Sequence, residues 1–200
     1  MTLPTPDPAR SRGSYAKGVA RRQEILDSAI EVFARRGADR TSLRAIAEAV
    51  GVTHAALTHH FGSLERLLVE VYDESERRLD REVPVPEGVS PVEAMRLSAE
   101  RNRGVPGMVQ LYTSLIAASL EAGHPVANGF ATQRFAALRS TLAEQIRERQ
   151  ASGRWRSDVD AETVAALVIA ASDGLQTQWL LEPAVDHVGA LALLDRLLAA

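Results

Sequence analysis

The sequence contains no cysteine, few aromatic residues and no long apolar run. Without cysteine there can be no disulfide, no thiolate metal site and no cysteine nucleophile. Four Phe, two Trp and three Tyr in 200 residues, with few β-branched residues beside them, leave little from which to build strands. The longest uninterrupted apolar run, 164–171, has eight residues. A membrane span needs about 20, so a soluble chain is expected. The first residues, MTLPTPDPAR, hold no apolar core long enough for a signal peptide, and a cytoplasmic location is expected. What is abundant is alanine (32) and leucine (23), both strong helix formers. The composition predicts an all-α protein.

The net charge of -3 conceals an asymmetry. Residues 1–70 carry ten basic and eight acidic side chains, and residues 71–200 carry 13 and 18. Arg10, Arg12, Lys17, Arg21 and Arg22 succeed one another with no acid between them. A basic arm ahead of a domain suits a polyanion such as DNA, although a solvated tail has the same composition.

Hydrophobic spacing divides the chain into nine predicted helices and no strand. The arm 1–16, with Pro4, Pro6 and Pro8, is expected to be disordered. A first helix covers 17–36, with Ile25, Leu26, Ala29, Ile30 and Phe33 on one face, and Gly37 ends it. Ser42 caps a short helix bearing Leu43, Ile46, Ala47 and Val50. Gly51 breaks it, and Thr53 caps a second short helix that buries Leu57 and Phe61. Ser63 caps a long helix to about residue 81. Val83-Pro84-Val85-Pro86-Glu87-Gly88 must be a loop. Ser90-Pro91-Val92-Glu93 starts the next helix, with a cap, a first-position proline and a glutamate able to return a bond to the cap. Further helices cover 91–102, 106–122, 126–151, 160–181 and 186–199.

The stretch 42–61, SLRAIAEAVGVTHAALTHHF, reads as a helix-turn-helix. The major groove is about 12 Å wide and admits one slim helix. Ala55, Ala56 and Thr58 keep the second helix slim, and Leu57 and Phe61 anchor it. An ordinary helical hairpin has no need of that low outward bulk. The histidines His54, His59 and His60 do not suggest a metal. Adjacent helical residues point about 100° apart, and no carboxylate stands at a matching offset. No metal, no cofactor and no catalytic motif is expected, so the chain reads as no enzyme.

Residues 21–70 resemble the DNA-binding domain of TetR-family transcriptional regulators. The resemblance rests on Phe33-Ala34-Arg35-Arg36-Gly37, on Thr41-Ser42-Leu43-Arg44-Ala45-Ile46-Ala47, and on Gly51-Val52-Thr53-His54-Ala55-Ala56-Leu57-Thr58-His59-His60-Phe61. Paired leucines, Leu67 and Leu68, come next in the long fourth helix. The resemblance implies a helix-turn-helix domain over 17–66, a linking helix over 63–81, and a ligand-binding and dimerisation domain over 67–200. It implies phosphate contacts from Ser42, Thr53 and Thr58, and base contacts from Arg44, His54, Ala55, Ala56 and His59. Three positions depart from the family pattern. Ala55 replaces a glycine, Thr58 a phosphate-binding tyrosine, and Leu64 a phosphate-binding lysine. The basic arm could restore that missing charge in the minor groove.

The last two helices carry wide apolar stripes: Val164, Leu167, Val168, Ala171 and Leu175, then Leu191, Leu194 and Leu198. By pattern they form a dimer interface or an internal core. The resemblance implies a homodimer through these helices, reading a palindromic operator. Met95, Met108, Tyr112, Leu115, Phe130 and Trp179 are core residues or line a ligand cavity, with Arg101, Arg134 and Gln176 to orient the ligand. The resemblance thus implies a repressor that a small-molecule effector releases from double-stranded DNA, with the fourth helix carrying the movement. The alternative from another class is a helical dimeric module that binds a small molecule or protein and has lost sequence-specific DNA binding.

Overall fold

A computed structural model describes residues 8–36, 47–49 and 51–200. Among the described residues nine helical segments follow one another in chain order: α1 (Pro8–Arg36), α2 (47–49), α3 (His54–Phe61), α4 (Leu64–Glu82), α5 (Pro91–Arg103), α6 (Met108–Ser119), α7 (Pro125–Ala151), α8 (Ala161–Leu181) and α9 (His187–Leu198). The only β-pairing among the described residues is an isolated bridge between Trp155 and Ala199. It joins the α7–α8 loop to the C-terminus.

Helix α1 begins well before the expected residue 17, so 8–16 are helical rather than part of a disordered arm. Pro8 opens it, a position where a proline loses no helical hydrogen bond and presets the backbone. Local capping fixes most other starts. Ser63, Ser90, Asp160 and Asp186 each accept a backbone N–H three residues on. Glu93 does not return the expected bond to its cap. Its carboxylate takes two hydrogen bonds from Arg96 instead, at 2.6 and 2.7 Å. Helix α7 is capped from elsewhere, because Ala127 N–H donates to Glu65 of α4 at 3.0 Å.

Two cores form. The first joins Ile25, Leu26 and Ala29 of α1, Leu57 and Phe61 of α3, and Leu67, Val71 and Tyr72 of α4 to Met108, Leu111 and Tyr112 of α6. The second joins Val92 of α5 and Leu142 and Ile146 of α7 to Val164, Val168 and Leu191 of α8 and α9. Helix α4 packs against α1, α3, α6 and α7, and so belongs to both halves of the molecule.

Helix α8 is long and apolar enough to cross a membrane by length and composition. It packs on α7, and Val164, Ala165, Val168, Ile169, Ser172 and Gln176 are buried there. The α8 and α9 stripes divide. Val164, Val168, Leu191 and Leu198 are buried in the protomer's own second core, which corrects their expected place in a dimer interface. Leu167 is 52% exposed, and Ala171, Leu175 and Leu194 are half-buried.

Candidate nucleic-acid interface and effector cavity

The outward helix of the head is built by its two ends. Gly51 has φ +67°, a left-handed turn that glycine adopts without steric cost, and Val52 N–H donates back to Ala47 at 2.9 Å. The extended Thr53 then caps α3, its Oγ1 accepting Ala56 N–H at 3.1 Å. Its hydroxyl keeps an O–H that can still donate. Gly62, at φ +77°, closes the helix with its N–H on Thr58 carbonyl oxygen, 2.8 Å away. Leu57 and Phe61, 0% and 2% exposed, hold α3 to the first core. Burying each contributes roughly 1.5–3 kcal/mol. The opposite side is left outward. Thr53, Ala55, Thr58 and His59 are exposed, and Ala56 is half-buried. A slim, polar-tipped helix on a rigid apolar footing is a shape the major groove accepts.

Ser42 and Arg44 lie outside the described residues, as do the side chains of His54, Arg10, Arg12 and Lys17. Leu64 is half-buried against the first core, an apolar anchor where the family pattern has a phosphate-binding lysine. Sequence reasoning counted Arg22 in the basic stretch and missed its packing role. Its guanidinium lies 4.8 Å from the Phe61 ring centroid and pairs with Glu70 of α4. It thus ties the end of α3 to α4. A second pair, Arg78 with Asp27, ties α1 to α4, and this contact holds the Asp27 carboxyl below its ordinary range despite some burial.

The chain belongs to a known family. Residues 25–71 match the sequence profile of bacterial regulatory proteins of the TetR family, and residues 111–200 that of the BetI-type transcriptional repressor C-terminal region. The HTH-type transcriptional repressor AcnR of Corynebacterium jeikeium is 31% identical over 153 residues, spanning 72% of this chain and 74% of its own. This protein is a TetR-family transcriptional regulator. The repressor Rv1474c of Mycobacterium tuberculosis is 30% identical over 157 residues, 78% of this chain and 80% of its own. A TetR-family regulator from Rhodococcus sp. shares the fold, with a TM-score of 0.70 at 22% identity over 90% of this chain and 98% of that one. As a member of this family the chain binds DNA and regulates transcription, and it is not an enzyme.

Behind the reading head of this TetR-family regulator lies a cavity of about 250 Å³ between α4, α5, α6, α7 and α8. Met95, Arg101, Met108, Tyr112, Arg134 and Gln176, six of the expected pocket residues, line it together. Three others lie elsewhere. Phe130 lines an open groove between α4 and α7 and meets the Tyr72 ring edge-on. Leu115 lines an apolar cleft with Leu64, Leu68 and Leu111. Trp179 carries the Arg103 guanidinium 4.7 Å from its ring centroid.

Arg134 organises the cavity wall. It donates to both oxygens of Glu76, at 2.5 and 2.7 Å, and lies 5.1 Å from the ring centroids of both Tyr72 and Tyr112. Those rings stack at 5.3 Å. Tyr72 donates to Glu76 at 2.9 Å, and burial holds its hydroxyl well above the ordinary tyrosine range. Sequence reasoning did not single out Glu76, Tyr72 or Asp173. Glu76 and Asp173 pair with residues distant in the chain, and Tyr72 stacks on the distant Tyr112, so local spacing does not mark their place in the wall. Among the described residues no group of three or more metal-binding side chains gathers.

Proposed function

We propose that this regulator is a homodimeric repressor that binds a palindromic operator in the cytoplasm and is released when a small molecule enters the cavity. The carrying observation is the double attachment of α4. Glu70 and Arg78 hold the reading head, while Glu76 and Tyr72 of the same helix form the cavity wall. A ligand that favours one position of α4 thereby favours one position of α3. Thr53 and Thr58 are assigned to phosphates, and Ala55, Ala56, His54, His59 and Arg44 to base edges.

The outward sides of α8 and α9 support the dimer. Ala166, Leu167, Ala170 and Gly174 are exposed on α8, and Leu193 and Leu197 on α9. Small residues beside leucines allow two helices to approach closely. A two-fold pair sets two heads on one palindrome.

The test is a gel shift on the DNA upstream of the chain's own gene, over a range of salt. A complex that forms at low salt and weakens steeply as salt rises is expected, since released counterions dominate such binding. No retardation at low salt favours the helical module that has lost DNA binding.

A further inference from the structure

The cavity holds more acid than base, and its acids are not equally engaged. Arg134 holds Glu76, and Arg101 holds Asp80 at 2.8 Å. Asp173 remains. Among the described residues its carboxylate is in no ion pair, and it accepts a hydrogen bond from the neutral Tyr112 hydroxyl at 2.9 Å. Burial pushes its carboxyl above the ordinary range, against the smaller pull of Tyr112 and Arg134. That is the behaviour of a carboxylate short of a counter-cation. Asn102 lines the same cavity, is 8% exposed, and its Oδ1 has no hydrogen-bond partner. Two acceptors on the cavity wall therefore have capacity for further donors.

The groups already occupied decide the kind of cation. A fully alkylated ammonium is held by the faces of aromatic rings. Here Arg134 already lies over both Tyr72 and Tyr112. The acceptors left open are oxygens, which take a hydrogen-bond donor such as N–H rather than a methyl group. The unpartnered Nε–H groups of Arg101 and Arg134 add donors for an acceptor elsewhere on the ligand. An anionic ligand would face Asp173 and compete with Glu76 for Arg134. The volume suits roughly a dozen non-hydrogen atoms, below the size of ordinary drug pockets.

We propose that the cavity takes a small protonated primary or secondary amine, its N–H groups on Asp173 and Asn102. This rests on the reading of the cavity as the effector site.

The experiment is calorimetric titration of the full chain with benzylamine, benzyltrimethylammonium and benzoate, one ring with three head groups. Benzylamine is expected to bind at least tenfold tighter than the other two. Asp173→Asn is expected to weaken benzylamine at least tenfold, and Asn102→Leu to weaken it less. Equal or tighter binding of benzyltrimethylammonium or benzoate overturns the proposal, and so does binding of none of the three. The head-group comparison uses the unaltered protein, so it stands even if a variant misfolds. Gel shifts with and without benzylamine separate the two readings. A chain that retards its DNA but does not bind benzylamine keeps its regulatory role and loses the amine. A chain that binds benzylamine without releasing DNA keeps the amine and loses the effector reading.

Discussion

Two sets of ion pairs on α4 use the same chemistry in different solvent. Toward the head, the pairs of Arg22 with Glu70 and Arg78 with Asp27 are partly exposed, with side-chain exposures of 40% and 21%, and 33% and 47%. Toward the cavity, Arg134 and Glu76 are 22% and 21% exposed and sit against the stacked rings of Tyr72 and Tyr112. Exposed pairs contribute about 0–1 kcal/mol, while breaking a buried pair costs several times more. The head's ion pairs to α4 can therefore change at small cost over the apolar core that α1, α3 and α4 share, and the cavity pair is the more enclosed of the two sets.

The largest predicted effect tests the cavity pair. Arg134→Ala leaves Glu76 without its cation and uncovers two tyrosine rings. The expected loss of unfolding free energy is about 1–3 kcal/mol, read from urea denaturation. A loss well below about 1 kcal/mol, the range of an exposed pair, would erase the difference between the two sets of pairs.

A second prediction concerns pH within the body. His187 is 1% exposed, and its Nδ1 lies 2.6 Å from Arg103. Burial first, and then the Arg103 charge, lower its pKa below the ordinary histidine value of 6.5; Glu100 and Asp186 act the other way. The folded protein thus binds this proton less readily than the unfolded chain. Stability from this contact is complete above about pH 6.5 and is lost as pH falls through the lowered value. The melting temperature should therefore drop more steeply on acidification than that of His187→Asn. Parallel slopes for the two proteins would remove His187 from the account.

The head is legible in the sequence because its determinants are local. Gly51, Thr53, Leu57 and Phe61 lie close together in the chain, and each acts on its neighbours. The helix boundaries in the body are legible for the same reason, since Ser90, Asp160 and Asp186 each cap the turn after them. The α8 stripe is not fully legible. Leu167 and Val168 are adjacent and both apolar, yet one is half exposed and the other fully buried. Periodicity identifies an apolar face, but the packing of α7 and α9 decides which part of it stays within the protomer. The cavity wall is half legible. Arg134 and Tyr112 stand out by residue type, whereas Glu76 and Asp173 gain their roles only when α4 and α8 meet α7 and α6. Pro8 shows the converse error, because a proline-rich run suggests disorder where one proline opens a helix.

A smaller effect tests how α3 is started. Thr53→Ala removes the acceptor for Ala56 N–H and should cost about 1 kcal/mol. Thr53→Ser should restore most of it. If the phosphate role also holds, Thr53→Ala lowers DNA affinity more than stability predicts, and the serine variant recovers both.

The smallest expected effect on stability is the most telling about the head's ion pairs. Arg22→Ala removes one partly exposed ion pair and one ring contact, and about 0.5 kcal/mol or less should be lost. Leu57 and Phe61 still bury α3, so the head remains folded. What is lost is the tie between the end of α3 and Glu70 of α4. DNA affinity should fall several-fold at constant salt, while effector affinity stays unchanged because Arg22 does not line the cavity. Arg22→Lys separates charge from geometry. It keeps the cation but loses the planar guanidinium over Phe61, so it should recover the salt dependence of binding more fully than the affinity. DNA affinity equal to the parent's in Arg22→Ala would mean that the head is aimed by its apolar core alone, and that the two sets of ion pairs on α4 differ in burial without differing in function.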